Sequence, residues 1–376
     1  MISPKQFYEA LLESEITKFC GVPDSLLKSF CGYVSEHSAS DNHTITANEG
    51  SAIALAAGQY IATGSPSLVY MQNSGFGNAV NPLLSLADPL VYGVPMLIMI
   101  GWRGEPGVKD EPQHVKQGAV MESLLEACQI PYKILSSDSE DVSCFVKNMV
   151  TMAVSKSSPV VVLVKKGTFQ PYSWKDKPSQ DLEMFREQAI EAVVKSCDER
   201  CIFVSTTGMP SRELYEIRER NNHAHDRDFL TVGSMGHASM IALGIAETQS
   251  AKTIVCLDGD GASIMHLGNL TTVGQSDSHN LIHVLLNNGA HDSVGGQPTC
   301  GFGIDLAAIA LASGYKTAAV VTSNDEISSV IEICQNSMGP HFVEIKINKG
   351  ARSNLGRPGS SPRDNIVALI DYLKKT

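Results

Sequence analysis

The 376-residue chain carries 40 acidic and 29 basic side chains, a net charge of −11, with 43% hydrophobic and 18% charged residues. At roughly 100–200 residues per domain this length holds two or three domains with ordinary cores, and the normal apolar content excludes general disorder. An acidic balance offers neither the basic footprint of nucleic-acid binding nor cationic attraction to an anionic membrane surface, so neither partner is expected.

No apolar run approaches the ~20 residues of a bilayer span; the longest, Val94 to Ile100, has the length of a buried strand. The N-terminal MISPKQFYEALLESE lacks a basic start followed by an apolar core, so no signal peptide is expected. The nine cysteines are scattered without a Cys-x-x-Cys pair. Cys197 and Cys201 are the nearest two, with no second pair to complete a zinc site. A reducing cytoplasm with buried thiols is the expected setting.

In chain order, Gly21-Val22-Pro23-Asp24-Ser25-Leu26-Leu27-Lys28 places polar Asp24 and Ser25 at a strand-to-helix turn, as helix caps or as functional groups. The strand Thr44–Ala47 runs into Asn48-Glu49-Gly50-Ser51 and an alanine-rich helix, Ser51–Ala62; a glutamate there complements the helix dipole in any protein. Strands Ser67–Met71, Met96–Ile100 and Val160–Val164 follow, with the loops Gln72–Asn78 and Gly101–Glu105 and the helix Glu122–Cys128 between them. The polar, proline-bearing stretch from Gly167 to Leu182 breaks the rhythm. The expected division is therefore 1–168, a linker over 169–182, and 183–376.

The second half repeats the pattern with strands Ile202–Ser205, Thr253–Leu257, Leu281–Leu286 and Phe342–Ile347 and helices His237–Ala246, Ser263–Val273 and Asn324–Gln335. Apolar strands alternating with helices predict two doubly wound parallel-sheet α/β domains, although no sequence repeat joins them.

The strand Thr253–Leu257 runs into Asp258-Gly259-Asp260-Gly261-Ala262, which in isolation reads as a tight turn. A dinucleotide fingerprint fails on spacing, because Ile264 stands where the third glycine belongs, so a dehydrogenase is disfavoured. Fewer than thirty residues later the strand Leu281–Leu286 ends in Asn287-Asn288-Gly289-Ala290. Both loops belong at the carboxyl edge of a parallel sheet. The carboxylate of Asp260, the amide oxygen of Asn288 and the carbonyl of Ala290 form an all-oxygen set suited to Mg²⁺. Backbone N–H groups of Gly261, Ala262 and Ser263, after Gly259, can cradle an anion.

This spacing resembles the thiamine diphosphate motif of the 2-oxo acid decarboxylase family. The resemblance implies the cofactors thiamine diphosphate and Mg²⁺, with Asp260, Asn288 and Ala290 as metal ligands. Two further segments match: Gly233-Ser234-Met235-Gly236 implies a carbonyl (Gly233) for the aminopyrimidine and an apolar wedge (Met235) that bends the cofactor, and Thr207-Gly208 implies a diphosphate-side turn. Glu49 matches the family's catalytic glutamate, whose buried carboxyl exchanges a proton with the pyrimidine N1′. In such enzymes a thiazolium ylide attacks the keto carbon of a 2-oxo acid and the ring absorbs the electrons released with CO2. Family members place the glutamate and the metal motif across a subunit interface, which implies at least a homodimer. Many also carry a middle domain, for which the short linker leaves no room.

The strings Gly21–Lys28, Gln72–Asn78 and Gly101–Glu105 resemble the phosphonopyruvate decarboxylase branch of that family, with sulfopyruvate decarboxylases as near neighbours. The resemblance implies Asp24 and Ser25 on the substrate side. Gln72 and Asn73 stand where aromatic 2-oxo acid decarboxylases have histidine, which argues against a histidine-relayed proton.

From Ile345 to Arg363 five basic residues occur without an acidic one, in a segment rich in glycine, serine and proline that reads as a loop. Arg352 and Arg357 are candidates to hold a distal phosphonate, and Arg103 in the loop Trp102–Lys116 is another. The expected activity is decarboxylation of 3-phosphonopyruvate to phosphonoacetaldehyde. Sulfopyruvate or another 2-oxo acid is the alternative substrate, and a non-catalytic thiamine-binding protein is a third reading.

Overall fold

The computed structural model describes residues 1–139, 141–174 and 181–375, so 175–180 of the predicted linker lie outside the described residues. The chain divides into two compact units, Met1–Lys177 with Ser293–Gln297 and Pro178–Asp292 with Pro298–Thr376. Among the described residues no helix is long and apolar enough to cross a membrane.

The first unit is built on a six-stranded parallel sheet: β1 (Phe19–Gly21), β2 (His43–Ile45), β3 (Leu68–Gln72), β4 (Met96–Gly101), β5 (Tyr132–Leu135) and β6 (Pro159–Val164), in the order β2-β1-β3-β4-β6-β5. The central strands β4 and β6 are buried along their whole length, which is why they read as unbroken apolar runs. Alternate residues of β3 feed two cores. Leu68 and Tyr70 meet Phe7, Phe30 and Val162 on one face, and Val69 and Met71 meet Ile53, Ala56 and Ile98 on the other. The edge strand β5 leaves Lys133 and Ile134 exposed.

The second unit holds β7 (Ile202–Ser205), β8 (Asp228–Leu230), β9 (Ile254–Gly259), β10 (Leu281–Asn287), β13 (Thr317–Val321) and β14 (His341–Lys346), parallel and ordered β13-β14-β10-β9-β7-β8. The two-residue strands β11 (Ala290–His291) and β12 (Gln297–Pro298) fall between β10 and β13. Read from the β8 edge, the six strands have the same order of appearance as in the first unit: second, first, third, fourth, sixth, fifth. One topology thus occurs twice without a legible sequence repeat. In each unit the winding reverses between the first and third strands, β1 and β3 or β7 and β9, where parallel sheets open a crevice at their carboxyl ends.

Local chemistry sets the helix boundaries. The helix after β2 is Glu49–Thr63, two residues earlier at its start than the predicted Ser51, because the Asn48 side chain accepts the Ser51 N–H at 2.9 Å and caps it. The helix predicted over Glu122–Cys128 is Pro112–Ala127, opened by a proline whose missing N–H costs nothing there. The single helix predicted over Ser263–Val273 is two, Asp260–Met265 and Asn269–Gly274. The break turns residues 266–269 toward the Gly233–Gly236 loop: His266 lies against His237 with ring centroids 4.4 Å apart, and the Asn269 amide donates to the Gly236 carbonyl at 2.9 Å.

Because β10 lies between β9 and β14 and carries the Asn288 loop, its packing anchors the second unit. Leu285→Ala, at a fully buried position of β10, is expected to cost about 2–5 kcal/mol, against under ~1 kcal/mol for Val320→Ala on the half-exposed edge strand β13. The urea midpoints of the two variants check this.

Candidate active site

In the first unit Asp24 and Ser25 follow β1, Glu49 opens the helix after β2, Gln72 ends β3 with Asn73 next, and Arg103 follows β4. Asp24 is wholly buried. Its Oδ2 accepts the Leu26 and Leu27 N–H groups at 2.9 and 3.2 Å, while Oδ1 has no hydrogen-bond partner among the described residues. A Cβ at Gly101 would stand 2.1 Å from Oδ2, so only glycine at the end of β4 admits this carboxyl. Burial pushes its pKa up to about 6, against the lowering pull of the Leu26 N–H and of Arg103. Asp24 therefore caps its turn and also keeps one oxygen for another partner.

Glu49 opens its helix with its side chain buried. Its Oε2 accepts the Asn78 amide at 2.7 Å, and a Cβ at Gly75 would lie 2.1 Å from Oε1. Burial raises its pKa and the Asn78 hydrogen bond opposes the rise, so the carboxyl is biased toward holding a proton.

Ser25, Asn73 and Arg103 come together. Asn73 grips the Arg103 backbone from both sides, donating to its carbonyl at 2.8 Å and accepting its N–H at 3.1 Å. The guanidinium gives Nε and Nη2 to Asp110 and Nη1 to the Ser25 hydroxyl at 2.8 Å. Asp110 also accepts the N–H groups of Gly104 and Glu111, both at 2.8 Å, and the Arg103 fork holds its carboxyl well below the usual range. The Gln72 amide turns instead to the Ser74 hydroxyl at 2.6 Å.

In the second unit Gly208 follows β7, Gly233 and Met235 follow β8, Gly259 ends β9 and leads directly into the helix of Asp260 to Ser263, and Asn288 and Ala290 follow β10. Gly208 caps the helix Met209–Arg220 at φ 97° and ψ −133°, a backbone state that side chains disfavour. The Thr207 hydroxyl donates to the Val232 carbonyl at 2.8 Å, tying the β7 loop to the β8 loop. Asp260 is buried at the start of its helix, and the Thr299 hydroxyl donates to its Oδ2.

A Cβ at Gly301 would fall 2.7 Å from both Asp260 Oδ2 and Asn287 Oδ1, so the missing side chain leaves a cradle beside the carboxylate. Asn287 is committed to the loop, donating to Glu344 Oε1 and the Gly301 carbonyl and accepting the Gly289 N–H. The Asn288 side-chain oxygen faces back to the Ala290 N–H at 3.0 Å.

A hard cation fits these residues. Asp260, Asn288 and Ala290 offer only oxygen, and burial pushes the Asp260 carboxyl up to about 6, a desolvation cost that a cation offsets. Gly261 sits tightly against His291 and Thr299, where an added Cβ would meet atoms at 3.3 Å.

The basic segment after β14 is anchored within the second unit, where the Gly350 N–H also donates to Asp292 at 2.9 Å. Arg352 pairs with Glu187 at 2.9 Å and with Glu216, and the Gly356 N–H reaches Glu216 at 2.6 Å. Its guanidinium thus clips the loop that carries Arg357 to the helices Arg186–Ser196 and Met209–Arg220. Sequence reasoning did not single out Asn78, Asp110, Thr299 and the sheltering glycines. Their roles rest on tertiary contacts that no local pattern signals.

Residues 4–125 match the thiamine pyrophosphate enzyme N-terminal TPP-binding domain, and residues 206–345 match the C-terminal TPP-binding domain. The chain is 33% identical to a phosphonopyruvate decarboxylase of Streptomyces viridochromogenes, over 97% of this chain and 93% of that protein. A phosphonopyruvate decarboxylase of Streptomyces hygroscopicus is also 33% identical, over 97% and 92%. A sulfopyruvate decarboxylase of Methanosarcina acetivorans is 30% identical, over 93% and 92%. The chain belongs to the thiamine pyrophosphate-dependent decarboxylases. Within them it groups with the phosphonopyruvate decarboxylases, with sulfopyruvate decarboxylases as neighbours.

The raised pKa of Asp24 has a stability consequence. A carboxyl near 3.8 unfolded and near 6 folded stabilises the fold fully only below the unfolded value, and that contribution is lost as pH rises through about 6. Asp24→Asn is therefore expected to stabilise the protein by about 2–3 kcal/mol at pH 7.5, with the gain vanishing below pH ~4. Thermal midpoints of the two proteins across that pH range check the sign.

Proposed function

We propose that this enzyme decarboxylates 3-phosphonopyruvate to phosphonoacetaldehyde and CO2. The observation that carries the reading is end-to-end similarity to two phosphonopyruvate decarboxylases, more extensive in identity than the similarity to sulfopyruvate decarboxylase. Thiamine diphosphate, when bound, supplies an acidic carbon that adds to the keto group and a cationic ring that accepts the electrons released with CO2.

This chain's residues divide the remaining work. Asp260, Asn288 and the Ala290 carbonyl hold Mg²⁺, while the backbone at Gly208, Gly259, Gly261, Ala262 and Ser263 cradles the diphosphate. The Gly233 carbonyl would accept from the aminopyrimidine, and Met235 would offer the cofactor an apolar side chain. Glu49 holds a proton for the pyrimidine N1′, which its burial favours.

Asp24 keeps its free oxygen and Ser25 its hydroxyl on the substrate side, and Gln72 and Asn73 stand in the loop where aromatic 2-oxo acid decarboxylases have histidine. Arg103, Arg352 and Arg357 are the candidates for the distal anion. Residues 1–168 form the pyrimidine-binding domain and 183–376 the diphosphate- and metal-binding domain. The reading carries self-association as a homodimer or higher assembly in the cytoplasm.

Phosphorus NMR tests the substrate assignment. Wild-type protein with thiamine diphosphate and Mg²⁺ is expected to convert phosphonopyruvate to phosphonoacetaldehyde, and to lose that conversion when either is withheld. Glu49→Gln is expected to lower turnover by ~100-fold or more with thiamine diphosphate still bound, as befits loss of a proton-transfer group. Faster turnover of sulfopyruvate than of phosphonopyruvate would reassign the substrate.

A further inference from the structure

The Trp102–Asp110 turn distinguishes among the three candidate arginines. Resting on the phosphonopyruvate reading above, we propose that Arg103 is the receptor for the distal phosphonate and that Asp110 is the positioning residue that presents it.

An arginine guanidinium has five N–H donors in a fixed fork. Asp110 takes Nε and one donor of Nη2, and Ser25 takes one donor of Nη1. Two donors, one on each terminal nitrogen, have no acceptor among the described residues, and paired donors of this kind suit phosphonate oxygens. The side chain is 19% exposed and that of Asp110 13%, so the fork is reachable by a small anion yet cannot swing freely. Asn73 fixes the Arg103 backbone on both sides, and Asp110 fixes the guanidinium plane while also accepting the Gly104 and Glu111 N–H groups of its own turn.

Ser25, bonded to the same guanidinium, follows Asp24 directly in the chain, so the anion-binding fork adjoins the residues assigned to the reacting end of the substrate. Arg352 likewise uses three donors, on Glu187, Glu216 and Asn354, but it is bonded to two carboxylates, whose charge opposes an incoming anion, where Arg103 is bonded to one. A phosphonate dianion gains more from a held guanidinium than a singly charged group does, and pyruvate has no distal group to gain anything.

The test compares 3-phosphonopyruvate with pyruvate, the latter both as substrate and as competitive inhibitor. Arg103→Ala is expected to raise KM for phosphonopyruvate ~100-fold and the pyruvate constants at least ~10-fold less, the smaller loss reflecting the hydrogen bond to Ser25. Arg103→Lys, which retains the charge without the fork, is expected to recover only part of the loss and covers the case in which the alanine variant fails to fold. Asp110→Ala is expected to raise the phosphonopyruvate KM ~10-fold alone and to add nothing in the Arg103→Ala background, because it acts through Arg103.

Equal losses on both substrates in the arginine variants, or multiplying effects in the double variant, would overturn the proposal. Absence of phosphonopyruvate turnover by the wild-type holoenzyme would instead remove the substrate reading, and this inference with it.

Discussion

Desolvation of carboxylates governs this molecule. Asp24, Glu49 and Asp260 are folded out of water at the carboxyl ends of parallel strands, and burial raises the pKa of each. Such groups cost free energy unless hydrogen bonds, a proton or a cation compensates them. The compensation differs at each position: backbone N–H groups at Asp24, the Asn78 amide at Glu49, and the Thr299 hydroxyl at Asp260. Each carboxylate also lies against a glycine whose Cβ would collide with it or crowd it, Gly101, Gly75 and Gly301 respectively. Carboxyls perturbed in this way cluster at functional sites, so in the proposed function the cost to stability and the capacity for catalysis have one source.

The repeated topology explains how two dissimilar sequences arrive at complementary roles. Each unit winds six parallel strands in one order of appearance and places its polar residues on the loops of one sheet edge. The second strand of each sheet is followed by pyrimidine-side candidates, Glu49 in one unit and Gly233 with Met235 in the other. The third and fourth strands of the second unit lead to Asp260 and Asn288, and those of the first lead to Asn73 and Arg103. The scaffold is shared, and in the proposed function the loop chemistry separates proton handling and anion contacts from cation binding.

Much of the architecture was legible in the sequence because central parallel strands must be apolar on both faces. Met96–Gly101 and Pro159–Val164 declare themselves for that reason, whereas the half-exposed edge strand Thr317–Val321 does not. The placement of Asp260 and Asn288 after adjacent parallel strands, β9 and β10, was legible from their spacing. The break in the helix after Ser263 was not, because it arises from contacts of His266 and Asn269 with a loop some thirty residues earlier in the chain. Asp110 was hidden for a similar reason: its hold on Arg103 is a matter of side-chain geometry, which no local pattern signals.

The claim on which the rest depends is that buried Glu49 moves a proton on bound cofactor. Hydrogen–deuterium exchange at the thiazolium C2 of bound thiamine diphosphate, followed by quenched-flow NMR, reads this directly. The account predicts fast exchange on the wild-type protein and exchange slowed by ~100-fold or more on Glu49→Gln with cofactor bound. Equal exchange rates on the two proteins would contradict it.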